Sequence, residues 1–433
     1  MLWSGGKDGG FRWHLDIEGF FFYVEYINAV MEEFRSFLPQ LVASSGKSHQ
    51  SLLLPNGHVY VSGSNNYGEL GIGSEVDKSL LGSERMILHQ SAMSVVCGDS
   101  QTSVITVDGD VYTCGHGIEG RLGVSSDEDP SYPSHMVLDL PAVKVASGKT
   151  LTAVLLQDGS VFTTGTNLPT DDPYGEYLDE EEYEDLQHEQ GEDDNEPLPK
   201  PSSSIPIRIK LPLPAIDIAC GENWVIAILQ DGSVCGWGDN IVGQLGVRNP
   251  RKRDNPGVSR EDLSFRIEPV PMDLPMGQKA KSVACGFQHT IVLMEDGSVY
   301  GCGENNYRQL GAPELEPLPW SYSLLRMDIP QPAVSVTCGR NNTFCITEEG
   351  EVYACGVNTR GELGLGDDVD YFTNKSPHRM EIQGRVQSVV AGDYSTIVIL
   401  EDDSVFTAGA VNCPRTSYPV RADVIGELAI YLS

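Results

Sequence analysis

CGFQHTIVLMEDGSVYGCGENNYRQLG, Cys285 to Gly311, is the stretch on which the reading of this chain turns. Gly286 opens an apolar run, the pair Asp296-Gly297 interrupts it, and a second short apolar run ends at Gly303. Eight residues later the unit finishes at Leu310-Gly311. Asn-Gly and Asp-Gly between apolar runs are the strongest short-range signal for a two-residue hairpin whose central residues take positive φ. The stretch therefore predicts two paired strands, Thr290 to Met294 and Val299 to Cys302.

Outward from this unit, the opening glycine recurs at Gly46, Gly98, Gly148, Gly221, Gly286, Gly339 and Gly392. Seventeen residues after each comes Gly63, Gly115, Gly165, Gly238, Gly303, Gly356 or Gly409. Eleven residues after the opener stands Gly57, Gly109, Gly159, Gly232, Gly297 or Gly350, and only the seventh copy departs, with Asp403. Repeats of about 50 residues point to solenoids, propellers or arrays. Between copies lie more short β-rich pieces, such as Met136-Val137-Leu138 with Val143-Lys144-Val145, and Ile207 to Leu211 with Ile216-Asp217-Ile218. That makes four strands per unit. Four-stranded sheets set radially are propeller blades, and closing the ring protects their edges. The expected fold is all-β, a seven-bladed β-propeller of four-stranded blades over residues 41–433, with a short N-terminal helix and an acidic loop insert.

The repeat resembles that of the regulator-of-chromosome-condensation propellers, whose units read GxxHTxxLxxDGxVYxxGxNxxGQLG. It is similar both in CGFQHTIVLMEDGSVYGCGENNYRQLG and in GKSHQSLLLPNGHVYVSGSNNYGELG, and the resemblance covers residues 41 to 433. A fold hosts many activities, so the resemblance speaks to architecture more strongly than to function.

Of the formal net charge of −33, residues 168 to 200 supply −13 through fourteen acids and one lysine, leaving −20 on the rest. Such a surface repels phosphate backbones and favours basic protein partners, so direct nucleic-acid binding is not expected. Four of the ten cysteines, Cys97, Cys220, Cys285 and Cys338, share the slot before an opening glycine, and Cys114, Cys302 and Cys355 the slot before the second. They read as core residues in a reducing compartment, cytoplasmic or nuclear, without disulfide, metal or cofactor. No apolar run reaches the 18 or so residues of a spanning helix. No membrane role is expected, and the chain reads as a monomer outside any larger complex.

Residues 1–40 read as a leader and an amphipathic helix. SGGKD, residues 4–8, looks like the start of an ATP loop but lacks the preceding strand such a loop needs. From Phe20 to Leu38 the apolar residues Tyr23, Ile27, Val30, Met31, Phe34 and Leu38 recur at helical spacing, and Pro39 stops the run. The stripe is expected to pack on the propeller. In the third copy residues 168–205 replace the Leu-Gly ending, and their acids and prolines predict a solvated loop. After the fourth copy residues 247–268 form the one basic linker, with Arg251, Lys252, Arg253 and Arg260. At the C-terminus Tyr418-Pro419-Val420 and Leu428-Ala429-Ile430 read as the strands preceding Gly46, closing the ring through the first blade. Leu41-Val42-Ala43 is an alternative for the same innermost slot.

No nucleophile, acid and base come together in the sequence, and no catalytic residue is expected. The resemblance implies that His49 and His289 hold blade to blade. It also implies the alternative function, guanine-nucleotide exchange on a Ran-type small GTPase. In such factors acidic and histidine side chains just after opening glycines act with a wedge from the third copy. The matching positions here are Lys149, Asn223 and Asn341, all replaced, although Asp99, Glu222 and Asp393 place acids on the same rim. The candidate partner-binding residues are these six together with Arg251, Lys252 and Arg253. The favoured function is a non-catalytic protein-interaction scaffold for basic partners.

Overall fold

The computed structural model describes residues 42–47, 49–74, 83–124, 131–166, 202–247, 265–313, 319–366, 376–402, 404–409 and 416–421. The helix expected over Phe20–Leu38, most of the acidic insert, the linker cations Arg251, Lys252, Arg253 and Arg260, and Leu428–Ile430 lie outside them.

Within the described residues the chain forms seven antiparallel sheets of four strands, each strand paired with the next in sequence. The innermost strands are Val42–Ser45, Ala92–Cys97, Ala142–Ser147, Ala215–Cys220, Ala280–Cys285, Ala333–Cys338 and Val386–Ala391. Each packs against its two neighbours, the first against the seventh included, so the sheets are blades of a closed ring. The blades are held by apolar layers between them. One layer joins Trp224, Ile226 and Ile228 of the fourth blade to Val283, Val292 and Met294 of the fifth. The second strand of most blades is buried on both faces, as in Trp224–Leu229 and His289–Met294, which is why it reads as a continuous apolar run. Burying each such side chain contributes about 1.5 to 3 kcal/mol.

The predicted hairpin forms, between His289–Met294 and Val299–Glu304. Its turn differs from the expectation. The Gly297 N–H bonds the Met294 carbonyl at 3.0 Å and Gly297 has φ +81°, whereas Asp296 is not among the positive-φ residues. This is a three-residue loop with glycine in the left-handed position, not a two-residue turn with two such residues. The aspartate instead accepts the Ser298 N–H at 2.9 Å, and Asp158, Asp231 and Asp402 do the same for Ser160, Ser233 and Ser404.

Two boundaries also shift. Val42–Ser45 pairs with His49–Leu53, so the first blade is completed by its own N-terminal strand, the alternative reading. Thr416–Arg421, which contains Tyr418–Val420, is the outer strand of the seventh blade. Ser202–Ile209 is already strand, pairing with Thr166 and Gly165, so the insert gives way to the blade at Ser202 rather than after residue 205.

The antiparallel order fixes two faces. Opening glycines and the connections from third to fourth strands lie on one, the glycine face. Asp-Gly turns and connections between blades lie on the other, the turn face.

Candidate interaction rim

Each inner strand ends in a tight reversal. The opening glycine donates its N–H to the carbonyl three residues on, at 2.9 Å for Gly46 to His49, 2.8 Å for Gly286 to His289 and 3.0 Å for Gly339 to Asn342. None of the seven opening glycines has positive φ. They are glycines because of close approach. A Cβ on Gly286 would lie 2.1 Å from His289 Cε1, and one on Gly148 would lie 2.3 Å from the Gly221 carbonyl oxygen in the next blade.

The reversal leaves the next residue at its tip. Lys47, Asp99, Lys149, Glu222, Phe287, Arg340 and Asp393 thus surround one shallow cavity of about 140 Å³ on the axis, lined by all seven blades. They pair around the ring. Lys47 Nζ is 3.8 Å from Asp99, Lys149 Nζ is 2.7 Å from Glu222, and Arg340 Nη1 is 3.2 Å from Asp393. The Arg340 guanidinium also lies 3.9 Å above the Phe287 ring. Three cations therefore face three anions, and the rim carries no net charge inside an acidic chain. Burial raises the Glu222 carboxyl above its ordinary value, offset by the Lys149 charge and hydrogen bond. Asp393 is raised the same way, with Arg340 opposing.

Just outside the rim, the third residue after the opener links one blade to the next in the first, second, fourth and fifth blades. His49 Nε2 is 2.9 Å from Thr102 Oγ1, His289 Nε2 is 3.1 Å from Thr343 Oγ1, Gln101 donates to Thr152 at 3.0 Å, and Trp224 to Thr290 at 3.2 Å. Thr102, Thr290 and Thr343 donate onward to the carbonyls of Glu69, Gln244 and Gln309 at 2.6, 2.7 and 2.7 Å. Each histidine must then donate from Nε2. Burial drives His49 down to about 4 and His289 to about 3, so both are neutral links between blades.

Of the residues singled out from sequence, Asp99, Lys149, Glu222 and Asp393 come together on the rim. Asn223 and Asn341 are not among the residues that line the cavity. Asn223 is buried and accepts from Thr150 Oγ1 at 2.6 Å, and the Asn341 Oδ1 is buried with no hydrogen-bond partner. Sequence reasoning missed Lys47, Phe287 and Arg340. The signal was present, since each directly follows an opening glycine. The cysteines before those glycines are free thiols, and burial pushes Cys97 up to about 11 and Cys285 to about 12. Among the described residues no three His, Cys, Asp or Glu side chains gather as metal ligands would.

A model of the RCC1-like domain matches residues 28–317, and one of the regulator of chromosome condensation (RCC1) repeat matches 296–346 and 349–399. The chain belongs to this repeat family. It is 27% identical over 374 residues to the ultraviolet-B receptor UVR8 of Arabidopsis thaliana, covering 85% of this chain and 76% of the receptor. It is 28% identical over 379 residues to the human regulator of chromosome condensation, covering 85% and 71%. Prp20p of Saccharomyces cerevisiae, solved together with its binding properties to Gsp1p and histones, superposes with a TM-score of 0.66 at 20% identity over 84% of this chain and 85% of that one. That likeness is one of fold.

Proposed function

We propose that this propeller of the regulator of chromosome condensation family is a non-catalytic, intracellular interaction scaffold for basic proteins, and that it does not drive nucleotide exchange on a small GTPase. The pairing of every rim acid carries the reading. An exchange factor acts by binding the nucleotide-free state of its GTPase more tightly than the loaded one. To offer carboxylates for that purpose, Glu222 and Asp393 would first have to give up Lys149 and Arg340. Their side chains are only 8% and 15% exposed, and breaking a buried pair leaves an uncompensated charge costing about 3 to 5 kcal/mol. Because the ring is neutral, the chain's net charge of −33 is carried by its other residues, and it suits a basic partner. Histones are basic, and the yeast propeller of the same fold was characterised for binding them.

One observation favours the exchange reading. Residues 167–201 leave after Thr166 and residues 248–264 after Val247, so both segments start and end on the glycine face beside the rim. The deciding experiment is release of labelled GDP from Ran-type GTPases with and without the protein, repeated in about 0.5 M salt, where exposed charge attraction is screened. The scaffold reading expects release at the intrinsic rate. Salt-resistant acceleration that disappears in a Glu222→Ala/Asp393→Ala variant establishes exchange instead.

A further inference from the structure

Two grooves on the turn face are built alike and charged differently. In the second and third blades a groove opens between the Asp-Gly turn and the segment that leads from the outer strand to the next blade. The second-blade groove, about 210 Å³, is lined by Asp110, His135 and Asp139, and His135 Nε2 stands 3.7 Å from Asp110. The third-blade groove is about 390 Å³ and runs between Asp158-Gly159-Ser160 and Arg208–Pro214. There the residue after the turn glycine is Ser160, which offers Arg208 a hydroxyl at 3.4 Å in place of a carboxylate. In the sixth blade the corresponding cation, Arg379, has Glu351 at 2.9 Å.

Lys210 widens the difference. It follows Ile209, which faces Val161 across the ladder, and the residues that follow the corresponding Met272, Met327 and Met380 are Asp273, Asp328 and Glu381. The third blade thus carries a cation where three others carry an acid. Arg208 and Lys210 are both exposed, and among the described residues neither is held in an ion pair. The one acid lining the groove, Asp158, is turned onto its own loop, where it accepts the Ser160 N–H at 2.9 Å. The wall beyond the cations is Leu211-Pro212-Leu213-Pro214, with Leu213 40% exposed. Two prolines with fixed φ stiffen it. A Cβ on Gly159 would lie 2.5 Å from Pro214 Cβ, so turn and wall touch and the groove is formed in advance.

We propose that this third-blade groove binds an extended acidic segment of a partner protein, its carboxylates meeting Arg208 and Lys210 and a neighbouring apolar side chain resting on Leu213. Charge selects the occupant, because these are two cations without carboxylate partners in a chain of net charge −33. Spacing selects an extended chain over a single anion. Residues two apart in a strand lie about 7 Å apart on one side, and Arg208 and Lys210 stand two apart along the segment that lines the groove. The groove lies on the face opposite the rim and calls for the opposite charge in its partner, so it stands independently of what the rim binds.

Anisotropy of a labelled peptide tests this on the full chain. The probe is about ten residues of alternating glutamate and serine with two leucines at the centre. It should bind, and Arg208→Ala/Lys210→Ala should weaken it about tenfold. Lys210→Glu, which gives the third blade the charge its siblings carry, should weaken it at least as much, and Leu213→Ser about threefold. A peptide with glutamines for glutamates should not bind. All these side chains are exposed, so the melting temperature should stay that of the wild type. No binding at about 1 mM probe, or equal binding to the wild type and Lys210→Glu, overturns the proposal. Equal binding of a peptide without leucines reduces the groove to charge attraction and overturns it as a docking site. Binding that appears only in a chain lacking residues 170–200 would assign the groove to the protein's own acidic insert and overturn the assignment to a partner.

Discussion

Two neighbouring joints of the ring differ in the slot three residues after the opening glycine. Between the fifth and sixth blades His289 reaches Thr343 at 3.1 Å. Between the sixth and seventh the slot holds Asn342, whose Oδ1 and Nδ2 are both buried with no hydrogen-bond partner. The receiving side is intact, because Thr396 still donates to the Glu362 carbonyl at 2.6 Å, as Thr343 does to Gln309. Reach makes the difference. Histidine, glutamine and tryptophan span the gap between blades and asparagine does not, so repeats alike in backbone are joined with unequal strength. An unpaired buried amide group costs about 1 to 3 kcal/mol. The closing layer between seventh and first blades is also slight among the described residues, with Ile399 and Val405 buried beside Leu52, Val390 and Ile397. Among the described residues, links between blades are thus sparse from the sixth blade round to the first.

The largest expected effect comes from adding a Cβ to the opening glycines of the two joints. In Gly286→Ala it would collide with His289 Cε1 at 2.1 Å and the Gly339 carbonyl at 2.7 Å. In Gly339→Ala it would meet Asn342 Oδ1 at 2.1 Å and the Gly392 carbonyl at 2.6 Å. The backbone clash is shared, but only the first displaces a bonded side chain. Gly286→Ala should cost on the order of 4 kcal/mol, and Gly339→Ala about 1 kcal/mol less. Equal shifts in urea midpoint at equal slope would show the histidine link to be worthless.

Acid should discriminate next. His49 and His289 have folded values lowered to about 4 and about 3 from an ordinary 6.5. The unfolded chain therefore binds more protons below pH 6.5, so the stability they contribute is complete above that pH and is lost as pH falls toward 4 and 3. At about 1.4 kcal/mol per unit the loss at pH 4 is on the order of 3 kcal/mol for each. The double variant His49→Gln/His289→Gln keeps a donor able to reach threonine, as Gln101 does, but cannot titrate. Its stability between pH 6.5 and 4 should fall less steeply than that of the wild type. Parallel curves would mean that the histidines are protonated in the folded state. A smaller effect, of opposite sign, is expected at the weak joint. Asn342→His should gain about 1 kcal/mol by pairing with Thr396, read as a raised melting temperature, and a loss of stability would show that the imidazole does not fit there.

These joints also show where sequence reading stopped. Seven blades were legible because glycine spacing repeats whatever the glycines do. Their reasons were not. Gly303 needs glycine for φ +97° and Gly286 for the room its neighbours take, and the letter is the same. The Asp-Gly signal predicted a hairpin but not its loop length, since two-residue and three-residue turns both ask for glycine. The rim was half read. Asp99, Glu222 and Asp393 were visible as acids, but their partners stand up to 73 residues away, as Lys149 and Glu222 do, and become neighbours only when blades close around an axis. The outer strand beginning at Ser202 was hidden by the polar sequence running into it.

The rim repeats the unevenness of the joints, and its looser pair gives the smallest effect on stability. Lys149 holds a nearly buried Glu222 at 2.7 Å, whereas Lys47 is 44% exposed and stands 3.8 Å from Asp99. An exposed pair of that geometry is worth well under 1 kcal/mol, so Lys47→Ala should move stability by less than about 0.5 kcal/mol. It does, however, leave Asp99 without its cation and the rim with a net negative charge. A basic partner seated on the rim should then bind the variant more tightly at low salt, with the gain fading as salt rises, because rim charges act mainly through association rate. Titration of the protein and its Lys47→Ala variant with histones by anisotropy reads this directly. Unchanged affinity at low salt would place basic partners away from the rim, on the acidic flanks of the blades. Weakened affinity would mean that Lys47 itself touches the partner, and that the partner is not simply a cation.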